Sequence, residues 1–234
     1  MTAALVVLAG GSGSRFGHGQ NKVYLPLAGR PVISWSLRLA LEVDAFGPVV
    51  LVIRPDDGGA ATAAVEAAEL DRPVQIVPGG ATRHGSELAA LDALAGRVAT
   101  GEVDVVAVHD GARPLAGADL TRRVVLAARD RGGAVPTVPV TGVWRRDSFG
   151  ALVRPEGGIG LHRVQTPQAF RAAPLLEAYE RSRVAGFEGT DTAATLEQFA
   201  PGLEVVAVPG HEDNLKVTFG ADLAAAEELV RTRA

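Results

Sequence analysis

The stretch LAGGSGSRFGHGQNKVYLPLAGRP, residues 8–31, directly follows the first apolar run of the chain, Ala4–Leu8. Before Lys22 it contains five glycines, two serines and an arginine, which is more glycine than a turn requires. A short valine-rich run that leads into a glycine-rich loop is typical of the first strand of a parallel sheet, where ligands bind at the carboxyl ends of strands. The stretch therefore predicts an α/β fold and a loop whose backbone approaches an anion.

The same alternation continues along the chain. Valine-rich runs predict strands at Ala4–Leu8, Val49–Arg54, Val74–Val77, Val103–Val108, Ala134–Val140 and Leu203–Val208. Periodic segments rich in alanine and leucine predict helices at Pro31–Val43, Gly59–Leu70, His84–Ala95, Asp119–Arg131, Ala173–Ala185, Thr192–Phe199 and Ala221–Arg233. Strands that alternate with helices favour a mostly parallel sheet that is covered on both faces. We therefore predict a single domain, residues 1–234, with a Rossmann-like three-layer α/β sandwich fold.

The composition excludes several classes of function. The 234 residues are 47% apolar and 5% aromatic, so valine, leucine and alanine supply most of the core. The net charge of −4 gives no general basic field for nucleic acid. Cysteine is absent, and no apolar run approaches the roughly 18 residues that a membrane helix needs. We predict a cytoplasmic protein that binds neither nucleic acid nor membrane.

Residues 141–162, TGVWRRDSFGALVRPEGGIGLH, interrupt the alternation of strands and helices. They show no helical pattern and predict two short strands, VWRRDS and ALVRP, joined through Phe149 and Gly150. A hairpin excursion of this length usually packs on another surface. We predict a protruding β-arm that forms a homodimer, with Trp144 and Phe149 as interface anchors. Alternatively, these aromatic side chains pack on their own domain.

Two common phosphate-binding motifs do not fit the glycine-rich loop. A Walker loop requires a Gly-Lys pair followed by Ser or Thr, but Lys22 follows Asn21. A dinucleotide fingerprint requires a third glycine where this chain has Phe16. The loop nevertheless has the composition of an anion site.

The glycines at positions 10, 11 and 13 permit positive φ angles and let backbone N–H groups approach a ligand. Arg15 and Lys22 add two cations to the loop. The alternative is a flexible, solvated loop with incidental charges. The position directly after the first predicted strand favours the anion site.

The loop pattern LAGGSGSRFG…NK resembles the signature loop of sugar-phosphate nucleotidyltransferases. Four further stretches occur in an order that resembles the 2-C-methyl-D-erythritol 4-phosphate cytidylyltransferase family: GGATRHGS (79–86), HDGARP (109–114), QTPQAF (165–170) and DNLKVT (213–218). The resemblance spans nearly the whole chain. It implies that CTP and 2-C-methyl-D-erythritol 4-phosphate give 4-diphosphocytidyl-2-C-methyl-D-erythritol and pyrophosphate, with Mg²⁺ on the phosphates.

The resemblance also implies which residues form the site. The catalytic cations are Arg15, Lys22 and Lys216. The nucleotide contacts are Ala9, Gly10, Gly11, Gly13, Ser14, Gly79, Gly80, Arg83, Ser86 and Asp110. The substrate contacts are Asp110, Arg113, Thr166, Thr190 and Lys216, and Asp110 is the candidate Mg²⁺ ligand.

Structural roles compete with these assignments at three places. Residues 82–86 could merely start a helix with a capping hydroxyl, Asp110 and Arg113 could form a structural ion pair, and Thr190 could belong only to a helix N-cap. The chemistry favours the functional roles. The attacking phosphate is already an anion, so the reaction needs cations rather than a general base. The five histidines are scattered without zinc-ligand spacing, and His109 is predicted to be structural.

The arm departs from the family at two positions. Val143 and Gly158 stand where the family has a threonine and an arginine that reach the substrate phosphate across a dimer. Valine donates no hydrogen bond from its side chain, and glycine has no side chain. One explanation is that a nearby arginine replaces the lost cation, with three candidates: Arg145, Arg154 and Arg163. The others are a different polyol or sugar phosphate acceptor, such as ribitol 5-phosphate, and a weak or inactive paralogue.

Two further classes share part of the pattern. A guanylyltransferase of molybdenum cofactor synthesis shares the LAGG-x-S-x-R loop and its lysine, but it lacks the HD-x-x-RP and TPQ combination. A non-catalytic nucleotide-binding module would keep the glycine-rich loop but has no need of Lys216. Formation of a product from CTP distinguishes the enzyme from such a module.

Overall fold

Strands and helices alternate along the chain in the predicted order. The structure is a computed structural model that describes residues 1–11, 21–143, 145–146, 148–153 and 160–233. The strands are β1 Thr2–Leu8, β2 Pro26–Leu27, β3 Arg30–Pro31, β4 Phe46–Ile53, β5 Val74–Pro78, β6 Val103–Asp110, β7 Gly132–Pro139, β8 Arg145–Arg146, β9 Leu152–Val153, β10 His162–Val164, β11 Gln168–Arg171 and β12 Glu204–Pro209. The helices are α1 Val32–Glu42, α2 Gly58–Ala68, α3 Arg83–Ala99, α4 Ala118–Arg131, α5 Ala172–Ala185, α6 Thr192–Phe199 and α7 Gly220–Arg233.

The main sheet is mixed but mostly parallel. Its central strand β1 pairs in parallel with β4 and β6, β4 pairs in parallel with β5, and β7 pairs in parallel with β12. The strand β11 lies between β6 and β7 and is antiparallel to both, and β10 is antiparallel to the end of β7. Six strands therefore share one direction, and β10 and β11 oppose them.

Successive residues of the central strands pack into two different cores. Leu5 and Val7 of β1 belong to a core that includes side chains of α1, α2 and α4. Ala4 and Val6 belong to a second core that includes side chains of α3, α5 and α6. Because neighbouring residues of a strand point to opposite faces, a strand that is apolar throughout is buried on both sides. The predicted three-layer arrangement is confirmed.

The short strand β11 is absent from the sequence-based prediction. Its sequence QAFR offers little alternation, and four residues directly before a helix carry a weak signal. The surroundings fix it instead, because Ala169 and Phe170 are fully buried between β6 and β7. A Cβ atom at Gly133 of β7 would lie 2.6 Å from Cδ1 of Phe170. A glycine is therefore needed where this strand inserts.

The predicted hairpin of the arm is confirmed in the described residues. Strands β8 and β9 are antiparallel, with Arg145 opposite Val153 and Arg146 opposite Leu152. Gly150 has a φ of +89°, which only glycine adopts readily, and it lies in the connecting turn. The predicted interface residue Trp144 lies outside the described residues, whereas Phe149 is 95% exposed.

The loops that follow three of the strands lie at one edge of the sheet. The N–H of Ala9, after β1, donates to the carbonyl of Val52 at 2.7 Å. The N–H of Gly79, after β5, donates to the carbonyl of Ile53 at 2.7 Å. The N–H of Gly111, after β6, donates to the carbonyl of Leu8 at 2.9 Å. The motifs that follow these strands are thereby brought together.

Candidate functional site

A cavity of about 400 Å³ lies at this carboxyl edge of the sheet. Its lining includes the following predicted site residues: Ala9, Gly10, Gly11, Lys22, Arg83, Ser86, Asp110 and Lys216. The chain contains only two lysines, Lys22 and Lys216, and both line the cavity. Such a concave pocket with convergent charged groups at the strand ends is the usual site of ligand binding in this kind of fold.

A buried asparagine holds the end of the glycine-rich loop. The Nδ2 atom of Asn21 donates to the carbonyl of Ala9 at 2.7 Å and to Oδ2 of Asp57 at 2.9 Å. Asp57 in turn forms a two-pronged ion pair with Arg54 at 2.9 and 3.0 Å. The next residue, Lys22, is thereby fixed at the cavity. Asn21 was not among the predicted site residues, and its position directly before the lysine is the only signal in the sequence.

Close approach explains the glycines at this edge better than unusual backbone angles do. Neither Gly10 nor Gly11 has a positive φ, so that part of the prediction is wrong for these two residues. A Cβ atom at Gly10 would lie 3.2 Å from Oγ of Ser86, and one at Gly79 would lie 2.7 Å from the same atom. A Cβ atom at Gly80 would lie 2.8 Å from the backbone of Gly85. Small residues therefore let the start of α3 approach the loops.

The amino end of α3 faces the cavity. Thr82 caps the helix by accepting a hydrogen bond from the N–H of Gly85 at 3.1 Å, and Oγ of Ser86 donates to the carbonyl of Thr82 at 3.0 Å. The capping role and the cavity position therefore occur together. A 17-residue helix carries partial positive charge at its amino end, which favours an anion there.

Asp110 is the centre of the charged groups in the cavity. Its Oδ1 atom accepts a hydrogen bond from Nη1 of Arg83, and its Oδ2 atom accepts one from Nζ of Lys216 at 2.7 Å. Nε of Arg113 lies 3.8 Å from Oδ2. Burial alone would raise the pKa of Asp110, but Arg83 and Lys216 outweigh it and hold the pKa well below its usual range. The carboxylate is ionised and fixes two cations.

A second buried carboxylate, Glu87, lies behind Arg83. Its Oε1 atom lies 3.0 Å from Nε of Arg83 and accepts a hydrogen bond from the Thr192 hydroxyl at 2.9 Å. The Tyr179 hydroxyl donates to Oε2. Burial raises the pKa of Glu87 despite these partners. Glu87 was not predicted, although an Arg-x-x-x-Glu spacing on a helix is a recognisable ion-pair signal.

Thr166 and Arg113, which were predicted to contact substrate, support Asp110 from behind. Oγ1 of Thr166 accepts a hydrogen bond from the N–H of Asp110 at 2.9 Å. Nη1 of Arg113 donates to the carbonyl of Asn214 at 2.7 Å. Burial lowers the pKa of His109 to about 4, and its ring nitrogens contact Thr166 and the Arg113 carbonyl. The prediction that His109 is structural agrees with this environment.

Other predicted residues lie elsewhere. Thr190 is exposed and lines a second cavity along α6, next to Asp191, whose side chain caps that helix through the N–H of Ala194 at 2.8 Å. The residues Gly13, Ser14, Arg15, Arg154 and Gly158 lie outside the described residues, as does the side chain of Arg145. Val143, at the start of the arm, is 40% exposed.

The described residues offer few metal ligands. Over these residues, no three His, Cys, Asp or Glu side chains converge on one point. Within the described part of the chain, Asp110 is the single carboxylate that lines the cavity, and both of its oxygens bind cations of the protein. The described helices also include none that is both long and apolar enough to cross a membrane.

Comparison with known proteins agrees with the motif pattern. The family model of 2-C-methyl-D-erythritol 4-phosphate cytidylyltransferase (IspD) matches residues 3–232. A protein of that name from Cereibacter sphaeroides is 40% identical over 230 residues, covering 98% of this chain and 97% of the relative. One from Bacillus licheniformis is 33% identical over 230 residues, covering 98% and 96%.

Solved structures give the same result. The crystal structure of 4-diphosphocytidyl-2C-methyl-D-erythritol synthase from Anaerococcus prevotii has a TM-score of 0.83 at 26% identity and covers 98% of this chain and 96% of its own. That of the Thermus thermophilus cytidylyltransferase has a TM-score of 0.74 at 29% identity and covers 99% and 100%. Because the family match extends over nearly its full length, this chain belongs to the 2-C-methyl-D-erythritol 4-phosphate cytidylyltransferase family.

Proposed function

We propose that this chain transfers the cytidylyl group of CTP to 2-C-methyl-D-erythritol 4-phosphate and releases pyrophosphate. Membership of the family supports the choice of reaction. The observation that carries the proposal is the pairing of Arg83 and Lys216 with one buried carboxylate, Asp110, in a cavity that Lys22 also lines. Two polyanions react here, and fixed cations are what brings them together and stabilises the transition state.

The reaction needs no general base. A phosphate oxygen of the acceptor attacks the α-phosphorus of CTP, and the bond from that phosphorus to the oxygen of the leaving pyrophosphate breaks. The attacking oxygen is already negatively charged, so no proton has to be removed. The side chains agree with this, because Asp110 is held in ion pairs and His109 is fully buried behind it. Neither is placed as a proton acceptor.

Asp110 acts in this proposal by orienting cations. It fixes Lys216 through Oδ2 and Arg83 through Oδ1, so both charges are in place before substrate arrives. Lys216 keeps 42% of its side chain exposed and can contact phosphate from this position. Lys22 also lines the cavity, and Arg15 of the glycine-rich loop joins these cations on the basis of the family resemblance. Preorganised charges of this kind supply most of the catalysis in phosphoryl transfer.

The nucleoside is proposed to lie against the start of α3. Gly79 and Gly80 bring the backbone close, and Ser86 contributes a hydroxyl group at the cavity wall. These groups match the family stretch that contacts cytosine and ribose. Ala9, Gly10 and Gly11 would then face the triphosphate, together with the amino end of the helix.

Mg²⁺ is proposed to travel with the CTP phosphates. A catalytic Mg²⁺ is commonly held by substrate phosphates plus one or two carboxylates, so a site with a single lining carboxylate is compatible with it. Asp110 is the residue that would contact the ion, and one of its oxygens would then give up its contact with Arg83 or Lys216. When bound, Mg²⁺ neutralises part of the charge on the triphosphate.

The acceptor half of the site is proposed to involve the arm and a homodimer. Leu152 is 66% exposed and Leu161 is 48% exposed, and both lie on the arm together with Phe149. Among the three candidate replacement arginines, only the side chain of Arg163 lies in the described part of the chain. Nη2 of Arg163 lies 3.3 Å from Oε2 of Glu212, and Nη1 of Arg113 donates to the carbonyl of Asn214, so both guanidinium groups contact the same short segment. Arg163 is our proposed acceptor cation.

Pyrophosphate release from CTP and Mg²⁺ tests the proposal. The acceptors to compare are 2-C-methyl-D-erythritol 4-phosphate, ribitol 5-phosphate, glycerol phosphate and a panel of sugar phosphates, with UTP as the control nucleotide. We expect robust turnover with the first acceptor and CTP. Turnover only with another acceptor would mean that Val143 and Gly158 mark a changed substrate. CTP binding without any turnover would favour the inactive paralogue.

A further inference from the structure

One buried carboxylate, that of Glu87, has no role in the proposed mechanism. The side chain of Glu87 is 1% exposed, and it does not line the cavity. It nevertheless binds Arg83, which does line the cavity, through an ion pair of 3.0 Å. A carboxylate costs several kcal/mol to bury even when it is paired. Its presence one helical turn behind a site cation therefore needs an explanation.

The surroundings of Glu87 restrict its position strongly. Hydroxyl groups from two other helices donate to it, Thr192 of α6 at 2.9 Å to Oε1 and Tyr179 of α5 to Oε2. The Tyr179 ring is itself held by stacking on the His84 ring, with 4.8 Å between centroids. Three helices therefore fix one carboxylate.

Arg83 is held at two points as a result. Its Nε atom binds Glu87, and its Nη1 atom binds Oδ1 of Asp110. If the Nε atom were released, the guanidinium could turn and take both oxygens of Asp110 in the two-pronged geometry that arginine prefers. Lys216 would then lose its contact with Oδ2.

We infer that Glu87 is a positioning residue for the nucleotide site. It holds the guanidinium of Arg83 so that Arg83 binds only Oδ1 of Asp110, and it thereby leaves Oδ2 to Lys216. The inference rests on the proposed function, because it assigns Arg83 to CTP and Lys216 to the phosphates that react. The competing role is purely structural, in which Glu87 only joins α3 to α5 and α6.

A double-mutant cycle between Glu87→Gln and Arg83→Lys separates the two roles. Glutamine keeps the shape and one acceptor but removes the charge, and lysine cannot bind both carboxylates in the same way. If Glu87 acts through Arg83, Glu87→Gln raises the KM for CTP about tenfold, which corresponds to one charged hydrogen bond. In the Arg83→Lys background the same change should raise it less than twofold.

A structural role predicts a different pattern. Partial unfolding lowers the active fraction, and hence kcat, without changing KM. Asp104→Asn is the matched control, because Asp104 forms a two-pronged ion pair with Arg129 at 2.7 and 2.8 Å at the opposite end of β6. It should lower the melting temperature and leave the KM for CTP unchanged. If Glu87→Gln does not fold, Tyr179→Phe removes one donor to Glu87 and should raise the KM for CTP about threefold.

The outcomes are distinguishable. An equal effect of Glu87→Gln in both backgrounds, or an unchanged KM for CTP, would overturn the positioning role while leaving the cytidylyltransferase reaction intact. If the unmodified protein neither binds CTP by calorimetry nor releases pyrophosphate, the proposed function fails and the inference fails with it. If Arg83→Lys reacts too slowly for a KM to be measured, the affinity of all four proteins for CTP, measured by calorimetry, gives the same double-mutant cycle.

Discussion

The cavity and the arm are built in opposite ways. In the cavity, the side chain of Asp110 is 9% exposed, and it is paired with Arg83 and Lys216. On the arm, Phe149 and Leu152 are 95% and 66% exposed, and strands β8 and β9 contain two residues each. The charges of the nucleotide half are therefore organised within one chain. The arm, which we propose to complete the acceptor half, presents exposed apolar side chains.

The two halves should therefore respond differently to mutation. Charges in the cavity are mutually dependent, so removing one of them leaves another buried and uncompensated. Side chains on the arm contribute little to the fold, so changing them should affect assembly or acceptor binding alone. Four predictions test this contrast.

The largest expected effect is the loss of stability in Asp110→Asn. The substitution keeps the shape but leaves Arg83 and Lys216 without their shared counterion. Removal of one partner of a buried pair typically costs about 3–5 kcal/mol of unfolding free energy. Because Arg83 keeps its ion pair with Glu87 and Lys216 is partly exposed, we expect the lower end of this range, about 3 kcal/mol in urea unfolding, together with loss of turnover. An unchanged unfolding midpoint would show that the cavity tolerates unpaired cations. It would contradict the view that the charges in the cavity depend on one another.

The same variant has a characteristic pH dependence. The pKa of Asp110 is lower in the folded chain than in the unfolded chain, where an aspartate titrates near pH 4. Its contribution to stability is therefore present above about pH 4 and is lost as the pH falls toward the folded pKa. The difference in unfolding free energy between the unmodified protein and Asp110→Asn should be constant at neutral pH and should shrink below about pH 4. A difference that grows on acidification would have the wrong sign.

The second prediction concerns the two lysines. We expect Lys22→Ala to fold normally, and we expect Lys216→Ala to lose some stability because it removes one partner of the buried Asp110. Both variants should lower kcat about 10²–10³-fold, the usual effect of removing one preorganised charge. Arg15→Ala should behave in the same way. Lys22→Arg and Lys216→Arg are the matched controls, because they keep the charge and change only its geometry. Near-normal pyrophosphate release by either alanine variant would remove that lysine from the mechanism.

The fold is predictable from the sequence where elements are long and periodic. The strand Val103–Val108 and the helix Asp119–Arg131 are uniform enough to be assigned locally, and both are confirmed with small shifts at their ends. The strand β11 cannot be assigned from its local sequence, because its burial depends on the gap between β6 and β7 rather than on its own four residues.

Prediction of the site residues from the sequence has the same limit. The motif order indicates Lys22, Asp110 and Lys216, which follow conspicuous glycines or strand ends. Asn21 and Glu87 were missed because their roles depend on partners distant in sequence, Asp57 for the first and Tyr179 for the second. Local sequence identifies the groups that face the ligand better than those that hold them in place.

The third prediction addresses the arm as a dimer surface. Phe149→Ser should weaken self-association about thirtyfold in sedimentation experiments, as expected when a central aromatic side chain of an interface is lost. Phe219→Ser is the matched control, because Phe219 is 54% exposed directly before α7 and is not part of the arm sequence. The melting temperature of the isolated chain should not change. An unmodified protein that is monomeric at micromolar concentration would contradict the dimer itself.

The fourth prediction concerns Arg163, our proposed acceptor cation, and a selective change in the KM for the acceptor. Arg163 lies on β10 and forms an exposed ion pair with Glu212 at 3.3 Å, and such pairs contribute little to stability. Arg163→Gln should therefore leave the melting temperature unchanged and raise the KM for 2-C-methyl-D-erythritol 4-phosphate about tenfold, with the KM for CTP within twofold. The matched control is Arg131→Gln, which breaks a similarly exposed pair with Glu204 and should change neither constant. A rise in both KM values would place Arg163 with the nucleotide cations, and no rise in either would transfer the acceptor role to Arg145 or Arg154. A selective rise would mean that the arginine on β10 replaces the cation that Gly158 cannot supply.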